Sequence, residues 1–181
     1  MNVVRFARRA LLTGGYAASA VLAFGQQRRG KSGGRKENRE EDVSPAEDLM
    51  REHGLLKRVL LVYGEAAARV EQKKDITPGV IPSAAKLIRD FIEAYHEKLE
   101  EEHLFPRFRK AGREIELVNI LEKQHQAGRQ VTGRILQDAR NGVPKDETTR
   151  RDLVAQMRAF IRMYEPHEAR EDTVLFPAFR Q

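Results

Sequence analysis

A short motif that occurs twice in the same register constrains this sequence most strongly. A histidine, a glutamate four residues later and a Leu-Phe-Pro triplet four residues after that occur at His96 and Glu100, and again at His167 and Glu171. On an α-helix, residues four positions apart lie on one face, about one turn apart. Each motif therefore predicts a helix that presents an imidazole and a carboxylate to one point.

Apolar residues recur at three- and four-residue spacing in four segments, which predicts four helices. Ser44 followed by proline, with Glu47 three residues past the serine, is typical of a helix start. The predicted helices run from Ser44 to a break at 75–79, from about 80 to 109, from about 114 to 140, and from about Asp146 to the end. Four helices joined by short turns predict an all-α fold, an up-down-up-down four-helix bundle.

The first 43 residues have a different composition. Arg8 and Arg9 precede a weakly apolar run, so residues 1–25 are interpreted as an export signal of the twin-arginine type, with a membrane anchor or an incidental apolar segment as alternatives. Residues 26–43 are rich in charged residues and glycine, which predicts a disordered linker. The bundle is predicted to occupy residues 44–181, and the protein is expected in a bacterial periplasm, with membrane-anchored or cytoplasmic placement as alternatives.

The net charge of +6 does not predict a nucleic-acid partner. Residues 1–43 hold nine Lys/Arg against four Asp/Glu, a net +5, whereas residues 44–181 hold twenty-four against twenty-three, a net +1. The bundle therefore has no large positive charge for a phosphate backbone. Membrane contact is expected only through the N-terminal segment, and only if that segment is not cleaved.

Histidines occur on all four predicted helices. The chain has five of them and no cysteine, which excludes thiolate metal sites and iron–sulfur clusters. His53, His96 and His125 fall among apolar positions of their helices, where an imidazole must find a hydrogen-bond partner or a metal. Two His-x-x-x-Glu motifs in matching register, with one further histidine on each remaining helix, predict a metal centre, since imidazole suits transition metals and glutamate can bridge two cations.

These residues give the sequence a clear family resemblance. The order of His53, His96, Glu100, His125, His167 and Glu171 resembles the hemerythrin family, specifically its His-His-Glu cation-binding branch, over residues 46–180. The resemblance implies a non-haem centre of two iron ions, with the four histidines as terminal ligands and the two glutamates as carboxylate bridges. A ferritin-like oxidase site would instead place Glu-x-x-His on two helices and lone glutamates on the others.

Three positions bear on how far the resemblance extends. Oxygen-carrying hemerythrins have a second histidine four residues after the one on the third helix, where this chain has Arg129. Their bridging aspartate lies five residues after the last histidine, a spacing that Asp172 satisfies, but Glu171 is preferred because it repeats the register of Glu100. His103 is a candidate fifth ligand, an outer hydrogen-bond donor or a partly exposed residue.

Residues next to the motif histidines are predicted to play lesser parts. Glu97 and Glu168 each lie one position, about 100°, from a motif histidine, so they are expected to face solvent. Tyr63, Tyr95 and Tyr164 are predicted core residues, any of which near the metals could donate a hydrogen bond to a bound molecule. The two Leu-Phe-Pro triplets are predicted to seal the bundle, with the proline bending or ending each helix.

The predicted function follows from the resemblance. A di-iron centre with an open position implies a protein that binds, senses or stores dioxygen, nitric oxide or a related small oxidant. The alternatives are a di-iron oxidase, peroxidase or nitric-oxide-reducing enzyme, and an iron-storage protein. Binding is favoured over catalysis.

Overall fold

A computed structural model describes residues 43–180 of the chain. The predicted export signal and, apart from Val43, the predicted linker lie outside these residues. Among the helices of the described part, none has the length and apolar character needed to cross a membrane.

Four helical rods make up the described part of the chain. We label them α1 (Pro45–Glu71), α2 (80–111), α3 (Ile115–Asp138) and α4 (147–179). They pack in a ring in chain order, with α4 closing against α1. The all-α bundle expected from the sequence is therefore confirmed, and short connections between successive rods make neighbours antiparallel.

The helix ends follow the predicted signals. The Ser44 hydroxyl accepts a hydrogen bond from the Glu47 N–H at 3.2 Å, and Asp146 caps α4 in the same way through the Thr149 N–H at 2.8 Å. Gly112 ends α2 with φ 67°, in the left-handed region that glycine adopts without a Cβ penalty. Local sequence chemistry thus sets the starts of α1 and α4 and the end of α2.

Two rods contain π-helical turns that the sequence pattern did not predict. Within α2 these are Ile88–His96 and Glu100–Leu104, and within α4 the π segment is Glu171–Leu175. The carbonyl of Glu100 accepts from the Phe105 N–H and that of Glu171 from the Phe176 N–H, each five residues on. Such wide turns often lie at functional sites, and here two of them begin at the motif glutamates.

The Leu-Phe-Pro triplets seal the bundle but do not end their helices. Leu104, Phe105, Leu175 and Phe176 are buried, as expected. Beyond the prolines, however, α2 continues to Ala111, and α4 continues to Phe179. Each proline lies in the first turn after a π segment, where the hydrogen-bond ladder is already being reset, so its missing N–H interrupts little.

The apolar core is divided into two clusters. One contains Leu56, Ile92, Ile135 and Tyr164, and the other contains the Leu-Phe pairs of both motifs together with Leu49 and Leu121. On every helix the predicted ligand histidine lies between residues of the two clusters. The fold therefore places four imidazoles in one layer, with apolar packing above and below.

Candidate metal centre

The six predicted ligand side chains come together in the centre of the bundle. Their histidines are at most 2% exposed, and both glutamates are fully buried: His53 from α1, His96 and Glu100 from α2, His125 from α3, and His167 and Glu171 from α4. His53, His96 and Glu171 offer ligand atoms within 4.8 Å of one another, and so do His125, His167 and Glu171. We call these the α1–α2 half-site and the α3–α4 half-site.

Each carboxylate directs one oxygen to each half-site. For Glu171, Oε2 lies 3.3 Å from His53 Nε2, and Oε1 lies 3.1 Å from His167 Nε2. For Glu100, Oε1 lies 3.9 Å from His96 Nε2, and Oε2 lies 3.4 Å from His125 Nε2. A carboxylate in this orientation can bridge two cations.

The Nδ1 atom of each imidazole ring lies close to an oxygen atom outside the ligand cluster. His53 Nδ1 lies 2.8 Å from Asp172, and His96 Nδ1 lies 2.8 Å from Glu52. His125 Nδ1 lies 2.9 Å from a Glu101 oxygen. The last ring, His167, has its Nδ1 at 3.0 Å from the Gln124 amide oxygen. Each of these oxygens can accept the Nδ1 proton, so that a neutral ring directs its Nε2 lone pair inward, as metal-binding histidines require.

The site has an approximate twofold symmetry that relates α1 and α2 to α3 and α4. Phe176 stacks on His53 with centroids 5.6 Å apart, and Phe105 stacks on His125 at 5.5 Å. The outer acceptors follow the same relation. The equivalent pairs are Glu52 and Gln124, His53 and His125, Lys57 and Arg129, His96 and His167, Glu97 and Glu168, Glu100 and Glu171, and Glu101 and Asp172.

Unsatisfied polar atoms show that these residues fit a cation. His53 Nε2 and all four carboxylate oxygens of Glu100 and Glu171 are buried and lack a hydrogen-bond partner in the described chain. Buried polar groups are rarely left unpaired, because each costs about 1–3 kcal/mol. A cation in each half-site would satisfy every one of these atoms, so the donor set is that of a metal centre.

Electrostatics lead to the same conclusion. Burial, and next the charge of Glu171, raise the pKa of Glu100 well above its usual value. Burial also acts to raise the pKa of Glu171, but the nearby charges of His167 and His53 outweigh it and depress that pKa. Two carboxylates this close do not both ionise without positive charge. Protons supply that charge in the metal-free site, and a metal ion would replace them.

Two candidates left open by the sequence lie outside the ligand cluster. His103 is exposed, and its carbonyl accepts a hydrogen bond from Arg107. Asp172 points to the outer nitrogen of His53 rather than to the interior. The geometry thus gives Glu171, which repeats the register of Glu100, the inward position.

The expectation that Glu97 and Glu168 face solvent is wrong. Their exposures are 1% and 2%, because a 100° step from an inward residue points toward a neighbouring helix of the ring rather than to water. A cation from that neighbour lies near each of them. Arg129 lies 2.9 Å from Glu97, and Lys57 lies 3.7 Å from Glu168. Arg129 therefore pairs with carboxylates instead of replacing the carriers' extra histidine.

Tyr164 and Gly128 form a contact that the sequence did not predict. Tyr164 is buried, its ring lies 5.2 Å from that of His167, and its hydroxyl donates to Glu97 Oε1 at 2.5 Å. A Cβ at position 128 would lie 2.2 Å from the tyrosine oxygen. A glycine inside a helix, three residues after the histidine of α3, was the available signal for this close approach.

We expect Gly128→Ala to lower the free energy of unfolding by about 1–3 kcal/mol. Alanine favours helix by ~1 kcal/mol, but its methyl group would collide with the end of the Tyr164 ring, which is stacked on Phe160 at 4.3 Å. Gly133→Ala is the control on the same helix, since its Cβ would meet only Arg89 Nη2 at 3.7 Å. Urea unfolding measures both, and equal stability of the two variants would contradict the steric account.

Comparisons with known proteins agree with this geometry. The family described as Hemerythrin HHE cation binding domain matches residues 44–179. An uncharacterized protein of Mycobacterium bovis is 46% identical over 138 residues, which cover 76% of this chain and 54% of the relative. Two uncharacterized proteins of Mycobacterium tuberculosis strains match to the same extent. The match thus spans about half the length of these curated relatives, and no solved structure matches significantly. The chain belongs to the hemerythrin family of HHE cation-binding domains.

Proposed function

We propose that the protein is a non-haem di-iron protein that binds, senses or stores dioxygen, nitric oxide or a related small oxidant. The observation that carries the proposal is the convergence of four imidazole nitrogens on two buried carboxylates, each directed to both half-sites. Imidazole and carboxylate donors without thiolate suit iron in its common oxidation states. His53, His96, His125 and His167 would be the terminal ligands, and Glu100 and Glu171 the bridges.

Open coordination supports small-molecule binding. Each half-site supplies two ring nitrogens and one oxygen from each glutamate, which is fewer donors than an octahedral ion accepts. When bound, iron would supply reversible redox chemistry and a place for an exogenous ligand. The chain's own residues orient the imidazoles through their Nδ1 contacts and exclude bulk water through the stacked rings of Phe105 and Phe176.

One observation supports an enzymatic alternative, an oxidase, a peroxidase or a nitric-oxide reductase. Arg129 stands where oxygen carriers have a further histidine, and its guanidinium pairs with Glu97 and Glu101 at 2.9 and 2.7 Å. The α3–α4 half-site therefore has one nitrogen donor fewer than a carrier, which favours reaction over stable carriage. Stopped-flow mixing of the reduced iron protein with dioxygen and with peroxide separates these outcomes, because a carrier releases its ligand unchanged.

Iron stoichiometry tests the centre itself. The purified protein should hold about two iron ions per chain, and the double variant His125→Ala with Glu100→Ala should lose most of them, because it removes a terminal ligand and a bridge. His103→Val is the matched control, since His103 is exposed and outside the cluster. Metal analysis with circular dichroism as a folding check measures this, and full iron content in the double variant would overturn the assignment.

A further inference from the structure

We infer that the two half-sites are not equivalent and that the α1–α2 half-site, formed by His53 and His96, fills first. The inference rests on the proposed bimetallic centre and adds an order of loading to it. It derives from the residues that hold the outer ring nitrogens, which differ in charge between two otherwise symmetric halves.

The outer acceptors of the α1–α2 half-site are both carboxylates. Glu52 lies 2.8 Å from His96 Nδ1, and Asp172 lies 2.8 Å from His53 Nδ1. Their side chains are only 13% and 22% exposed. A carboxylate that accepts the Nδ1 proton increases the donor strength of the opposite nitrogen and adds negative charge close to the bound cation.

The α3–α4 half-site lacks this charge. At the position equivalent to Glu52, the acceptor is the neutral amide of Gln124, 3.0 Å from His167 Nδ1. At the position equivalent to Asp172, Glu101 accepts from His125 but is also bonded to Arg129 at 2.7 Å. One acceptor is therefore uncharged, and the charge of the other is offset by a guanidinium.

Lys57, the cation equivalent to Arg129, offsets less of the negative charge in its own half-site. Lys57 lies 4.0 Å from Asp172 and its side chain is 60% exposed, so water screens it, whereas the Arg129 side chain is 34% exposed. Glu100 and Glu171 each direct one oxygen to either half, so they add the same number of charges to both. The outer acceptors thus make the α1–α2 half-site the more negative of the two.

Outer acceptors of this kind change metal affinity by about 10–100-fold when removed. We therefore expect the α1–α2 half-site to bind the first divalent cation at least about tenfold more tightly than the α3–α4 half-site. The mutual repulsion of two cations at such short range lowers the affinity for the second cation further.

The five histidines permit a direct test. The full chain labelled with ¹⁵N-histidine is titrated with Zn²⁺, and the ring nitrogen resonances are followed by NMR, with His103 as an internal reference outside the centre. At one equivalent, the Nε2 signals of His53 and His96 should shift, while those of His125 and His167 change only as the second equivalent is added. Proportional shifts of all four rings, or earlier shifts of His125 and His167, would overturn the inference.

A charge exchange supplies the matched variant. Glu52→Gln combined with Gln124→Glu leaves the net charge unchanged and gives each half one uncompensated carboxylate, so the preference should fall to within about threefold. Retention of the original order would contradict the outer-acceptor account. Failure of the wild-type chain to bind Zn²⁺ or iron would instead overturn the metal centre, whereas two ions bound without order would overturn the loading sequence alone.

Discussion

Replacing Glu171 by alanine is expected to abolish the paired metal centre, leaving one iron ion or none per chain. Glu171, like Glu100, directs one oxygen to each half-site, and its contacts are the shorter ones, with Oε2 at 3.3 Å from His53 and Oε1 at 3.1 Å from His167. Its loss would remove a donor from each half and one of the two proposed bridges between them. The effect should exceed the 10–100-fold loss of affinity expected when an outer acceptor is removed. Metal analysis and the absorption spectrum of the air-exposed protein measure it.

Asp172→Ala is the matched control for this prediction. Asp172 is the neighbouring acidic residue, it has the spacing of the carriers' bridging aspartate, and it touches only the outer nitrogen of His53 among the predicted ligands. This variant should keep both metals when iron is in excess and bind them more weakly. Loss of the metal pair in Asp172→Ala with retention in Glu171→Ala would mean that the carrier spacing, and not the internal repeat, describes the site.

The predictions that held rest on periodicity and on repetition. Helical spacing placed His53, His96 and His125 on inward faces, and the cap signal at Ser44 marked the start of α1. The repeated register selected Glu171 over Asp172, and the geometry places that carboxylate inward. Because these signals are local or strictly periodic, they can be read without knowing how the helices pack.

The features that were missed depend on packing between helices. Periodicity within one helix predicted a solvated Glu97, whereas Arg129 of the adjacent α3 and Tyr164 of the opposite α4 bury and pair it. The π turns at Glu100 and Glu171 were also missed, since residue spacing in the sequence does not distinguish an i+5 bond from an i+4 bond. Gln124 and Glu52 are recognised as equivalent only when the approximate twofold symmetry that relates α1 and α2 to α3 and α4 is known.

Cation binding should also depend strongly on pH, with affinity rising from pH 7 to about pH 9. Burial lowers the pKa of His53, but the hydrogen bond with Asp172 and the charges of Glu171 and Asp172 outweigh it and raise this pKa to about 9. His53 is therefore protonated at neutral pH in the metal-free protein, and a cation must displace that proton to reach Nε2. Burial and the charge of Glu171 also raise the pKa of Glu100, so protonation of this carboxylate opposes cation binding in the same direction. Each displaced proton weakens binding about tenfold for every pH unit below the pKa of its group.

Competition between the protein and a chelator for Zn²⁺, a redox-inactive probe, measures this dependence at several pH values. Calorimetry in buffers of different ionisation enthalpy counts the released protons independently. In Asp172→Asn the main hydrogen bond that raises the pKa of His53 is weakened, so the rise in affinity should level off at a lower pH than in the wild type. An affinity that is constant from pH 7 to 9, with no proton release, would contradict a centre in which protons hold the place of the metal ions.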